Sequence, residues 1–71
     1  MSNYKIHPSR ITAALKGIQK QLKKRGYRKG TDEYRIEAVR LVNDFFDRNF
    51  SSSDVEFRRG FIDMCMDFLV N

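Results

Sequence analysis

The chain has one cysteine, one proline, one histidine and no tryptophan among its 71 residues. A lone cysteine excludes an intrachain disulfide, and beside a single histidine it leaves too few ligands for a zinc site of the usual Cys/His kind. Its setting in an apolar run suits a reducing compartment. No apolar run approaches the roughly 20 residues needed to span a membrane. The opening MSNYKIHPSR has no apolar stretch of the sort found in secretion signals. Together these absences predict a soluble, cytoplasmic protein with no metal, no cofactor and no membrane partner. The length allows one domain, 1–71, and a chain this small buries only about 60 % of its unfolded surface.

Acidic residues are missing from the first thirty positions. Residues 1–30 carry nine Lys or Arg and no Asp or Glu, whereas residues 31–71 carry five Arg against nine acids. The net charge of +5 therefore divides into +9 and −4. A segregation of this kind points to a polyanionic partner and says nothing about the fold.

Hydrophobic spacing supplies the fold. Ile11, Leu15, Ile18 and Leu22 recur at helical steps and predict a first helix over about 9–25, with Pro8 in its first turn and Ser9 as an alternative cap. Gly26 and Gly30 bracket a break. Thr31 is a good N-cap for a second helix over 32–49, with Asp32 and Glu33 favourably placed in its first turn. Its expected buried stripe is Tyr34, Ala38, Leu41 and Phe45, flanked by Val39, Val42 and Phe46. Ser51-Ser52-Ser53 is a connector, and Ser53 with Glu56 three residues on makes a capping box for a third helix over 54–70.

That third helix is the most apolar element. From Phe61 onward eight of ten residues are apolar, and Asp63 and Asp67 share one stripe with Glu56 and Gly60. Phe57, Phe61, Met64, Cys65 and Phe68 are expected on the opposite, inward side. The reading is an all-α, three-helix domain with a short N-terminal segment whose alternation suits extended chain. Three helices packed once should not cover all of Ile36, Val39, Phe46, Phe50, Ile62, Met66 and Leu69, which predicts a homodimer or protein partner at helices 2 and 3. Gly17 and Gly60, both mid-helix, mark either tolerated weak points or places of close helix approach or backbone exposed to a partner.

Catalytic chemistry has little to work with. His7 lies at the edge of the fold and Cys65 sits amid Phe61, Met64 and Phe68, where a thiolate is not favoured. Asp63 and Asp67 lack a third ligand for a cation. The glycines fit neither a dinucleotide fingerprint nor a phosphate loop. The chain does not read as an enzyme.

The basic segment does carry a signal. Lys16, Lys20, Lys23 and Lys24 fall on the side of helix 1 opposite its apolar stripe, and Arg25, Arg28 and Lys29 continue the band through the loop, roughly 20 Å in all. Lysines and arginines at this density neutralise phosphates and release condensed counterions. Tyr27, between Arg25 and Arg28, offers a ring for an unpaired base. The expected function is nucleic-acid binding, DNA or RNA, through these eight residues with little sequence preference. An acidic protein partner, or a merely solvated lysine face, is the competing interpretation. As an adaptor or regulatory subunit, the chain would instead dock through the apolar surface of helices 2 and 3.

The first fifty residues also resemble ribbon-helix-helix DNA-binding proteins: a short alternating Tyr4-Lys5-Ile6, Pro8, a helix, a glycine turn, then a capped helix containing Glu37-Ala38-Val39-Arg40. The resemblance implies a dimer whose strands pair and place Asn3, Lys5 and His7 in the major groove. The chain departs from that pattern in its very short ribbon, its longer and more basic first helix, its two loop glycines and its extra third helix.

Overall fold

The computed structural model describes residues 7–50 and 54–70. Three helices fill almost all of them: α1 Pro8–Lys24, α2 Asp32–Asn49 and α3 Val55–Val70. This is the three-helix domain expected, with every boundary within one residue. The alternating segment before His7 and the serine connector, including Ser53 of the expected capping box, lie outside the described residues.

Each helix end has a local cause. Pro8 takes the first helical position, where its missing N–H is no loss. The cap is His7 and not Ser9: the imidazole Nδ1 accepts the Ser9 backbone N–H at 3.1 Å. At the other end Gly26 adopts φ 89°, the Gly26 N–H donates to the Lys23 carbonyl and the Tyr27 N–H to the Leu22 carbonyl, both at 3.0 Å. This is a Schellman stop, and it needs glycine because a Cβ is disfavoured at positive φ. Thr31 caps α2, its hydroxyl oxygen accepting the Tyr34 N–H at 3.2 Å. For α3 the aspartate next to the expected serine does the work, with Asp54 Oδ1 accepting the N–H groups of Glu56 and Phe57 at 2.9 and 3.2 Å.

One core unites the three helices: Leu15, Ile18 and Leu22 from α1, Tyr34, Ala38, Val42 and Phe46 from α2, Phe50 just beyond it, and Phe61, Cys65 and Leu69 from α3. Each large side chain so buried contributes about 1.5–3 kcal/mol. The α1 stripe is as expected, although Ile11 is only partly buried. The α2 stripe is shifted, since Val42 and Phe46 are buried and Leu41 and Phe45 flank them. The cause is an aromatic cluster in which the rings of Phe50, Phe57 and Phe61 stand 4.9, 5.4 and 5.3 Å from that of Phe46.

α3 is turned relative to the expected orientation. Phe61, Cys65 and Leu69 face inward, while Met64 and Phe68, expected inside, are 55 % and 39 % exposed. Polar ties set that rotation. At one end the Arg58 guanidinium lies 4.6 Å over the Phe46 ring and donates to Asn43 at 2.9 Å and Asp47 at 2.6 Å. At the other, the buried Tyr34 hydroxyl donates to the Leu69 carbonyl at 3.1 Å. As a result Phe46, Phe50 and Leu69, three of the seven apolar residues that a single packing was not expected to cover completely, are buried within the single chain. Among the described residues, the large hydrophobic side chains that remain exposed are Ile36, Val55, Met64 and Phe68.

Nor do the mid-helix glycines mark close packing. A Cβ built on Gly17 or Gly60 meets no heavy atom within 4 Å. No described helix is long and apolar enough to cross a membrane.

Candidate nucleic-acid interface

With Leu15, Ile18 and Leu22 buried, the geometry of a helix sends residues half a turn away outward. Lys16, Lys20, Lys23 and Lys24 are all exposed. Lys23 and Lys24 occupy the last turn of α1, where positive charge also complements the helix dipole. None of the four lies within ion-pair distance of a carboxylate among the described residues. The same holds for Arg28 and Lys29, which are exposed in the turn that follows. That turn is closed by the Thr31 N–H donating to the Arg28 carbonyl at 3.2 Å, with Gly30 at φ 95° in its third position.

Arg25 behaves differently. It points across to α2, where its guanidinium donates to Glu37 at 3.1 Å. Glu37 also accepts from Arg40 one turn along. The hydrogen bond from Arg40, followed by the attraction of both arginines, holds the Glu37 carboxyl below its ordinary value despite the opposing effect of desolvation. Arg25 thus secures the end of α1 to α2 and is not a free cation like its neighbours.

Tyr27 is half-buried. Its backbone N–H is committed to the Schellman stop and its ring packs against the edge of the core. Beside it opens a hollow of about 560 Å³ lined by Gln19, Lys23, Tyr27, Arg28, Lys29 and Tyr34. Four of these were expected as site residues from the sequence. Gln19 and Tyr34 were not. Gln19 lies one helical turn before Lys23 and so on the same flank, a signal available in the spacing. Tyr34 reads in sequence only as a core residue, and its ring does belong to the core, with burial raising its phenol above the usual value.

The remaining candidates are elsewhere. Asp63 and Asp67 line a separate groove with Arg35, Val39, Ile62, Met66 and Val70. Among the described residues no three His, Cys, Asp or Glu side chains gather closely enough to hold a metal ion. The Cys65 thiol is buried, and burial pushes it up to about 11. Of the residues the ribbon resemblance places in a DNA groove, Asn3 and Lys5 lie outside the described residues, and His7 caps α1. No protein-family model, curated protein or solved structure matches the chain.

Proposed function

We propose that this chain is a non-enzymatic nucleic-acid-binding protein that holds phosphates on the exposed face of α1 and the turn after it. The observation that carries this reading is the run of unpaired cations. Lys16, Lys20, Lys23, Lys24, Arg28 and Lys29 are exposed with no carboxylate in reach among the described residues, whereas Arg25, Arg40 and Arg58 are all engaged with acids. A surface lysine patch whose only role is solubility has no reason to exclude acids so completely.

The four α1 lysines span about 12 Å of helix axis, a length of duplex that carries about seven phosphates, so each lysine has one to meet. With about four contacts, the logarithm of the association constant should fall against the logarithm of salt concentration with a slope near −3.6 for duplex and near −2.8 for single strands. Fluorescence anisotropy over a salt series measures it. The double variant Lys20→Glu, Lys24→Glu should flatten the slope by about two contacts or abolish binding. Salt-independent binding, or binding indifferent to this variant, rejects the proposal.

A second reading rests on Met64 and Phe68, large apolar side chains on α3 left uncovered by α1 and α2, with Ile36 and Val55 exposed as well. Here the chain pairs with a copy of itself or docks on another protein. Light scattering on the free protein, repeated with Phe68→Asp, tests self-association: a monomer in both cases removes the homodimer.

A further inference from the structure

We infer that the hollow at the end of α1 takes one unpaired nucleobase, so that the ligand class is single-stranded nucleic acid and not duplex. The inference rests on the proposed function and narrows it. Its basis is the combination of groups in one place. Lys23, Arg28 and Lys29 bring three cations around a concavity whose remaining walls are two tyrosine rings and one carboxamide. A phosphate alone needs only the cations. A base needs an aromatic face, an edge that can both donate and accept, and flanking cations for its own phosphates.

Each of those parts is present, and the two tyrosines are held in position. The Tyr27 ring is anchored by the Tyr27 backbone N–H on the Leu22 carbonyl and by packing against the core, so little freedom is lost when a base stacks on it. The Gln19 side chain carries an acceptor oxygen and a donor amide, the pair needed to meet a base edge. Tyr34 cannot turn to contact the ligand with its hydroxyl, which is committed to the Leu69 carbonyl, and so serves as a fixed wall. The volume, about 560 Å³, lies within the roughly 300–1,000 Å³ of small-molecule sites. In a duplex the bases are stacked inside and unavailable to such a hollow, so only the phosphate contacts remain.

The test compares chains of equal charge with and without bases. Four probes serve: oligothymidylate, oligouridylate, the abasic phosphodiester chain of the same length, and blunt duplex. The base-bearing strands should bind about 5- to 150-fold tighter than the abasic chain, the range for stacking of one base, with the same salt slope. Because the protein has no tryptophan, the emission of its three tyrosines can be read, and the Tyr27 share of it should be quenched by the base-bearing strands but not by the abasic chain. Tyr27→Leu, checked for helicity by circular dichroism, should lose the base preference and keep the slope. If that variant does not fold, Gln19→Ala, at a half-buried helix position outside the core, should weaken the base preference in its place. Equal affinity for abasic and base-bearing chains overturns this inference and leaves the phosphate-binding function standing. Failure to bind any of the four overturns both.

Discussion

Replacing Tyr34 with phenylalanine removes one oxygen and leaves the ring. That oxygen is the donor to the Leu69 carbonyl, a bond between the first turn of α2 and the last turn of α3. A carbonyl in the last turn has no partner within its own helix. Leu69 is 0 % exposed and Tyr34 4 %, so water does not reach the carbonyl in the folded protein. Losing the bond therefore forfeits a net hydrogen bond of about 1 kcal/mol and strands an acceptor at about 1–3 kcal/mol; a total near 2 kcal/mol follows, since the two overlap. For 71 residues the unfolding entropy is about 0.15 kcal/mol/K, so Tm should fall by about 10–15 °C. Urea unfolding of Tyr34→Phe beside the parent measures the free energy, and amide exchange near Leu69 locates the loss. A variant within about 0.5 kcal/mol of the parent, the ordinary scatter of neutral substitutions, refutes the argument. It means that α3 does not end against the start of α2.

Other expectations follow from the same geometry. Gly26→Ala forces a Cβ into φ 89° and should cost about 1–2 kcal/mol in urea unfolding, whereas Gly17→Ala, on open helix surface, should gain up to about 1 kcal/mol. Cys65 should resist a thiol reagent at pH 8 in the folded protein and react fully once denatured, since its thiol is buried and pushed up to about 11. The Glu37 carboxyl sits below its ordinary value of 4.5 when folded, so the stability it confers is complete above that pH and disappears as pH falls through the lower folded value. Glu37→Gln should therefore weaken the acid sensitivity of unfolding below pH 4.5, measured by circular dichroism.

Helix number, order and boundaries were legible because each rests on local rules: periodic apolar residues, a glycine that stops α1, and a threonine that starts α2. Helix rotation was not. A count of apolar positions on α3 favours Met64 and Phe68 as inward residues as much as Leu69, and the bonds of Arg58 to Asn43 and Asp47 and of Tyr34 to Leu69 break the tie. Those join positions distant in sequence, which no local pattern reveals. The same limit applies to the candidate site. The exposed lysines of α1 follow from one helix alone, but the pairing of Arg25 with Glu37 and the concavity shared by Gln19, Tyr27 and Tyr34 depend on where α2 lies.

The loop joining α1 to α2 has two glycines and three cations, a composition suited to wrapping an anion with the main chain. The amides at its two ends are already taken. The N–H groups of Gly26, Tyr27 and Thr31 all point to carbonyls of the chain itself. At those ends any grip on a polyanion is left to long, jointed side chains, whose tips can follow whatever spacing the ligand offers. Such a hand is tolerant of shape, and discrimination has to come from the small rigid recess at its palm.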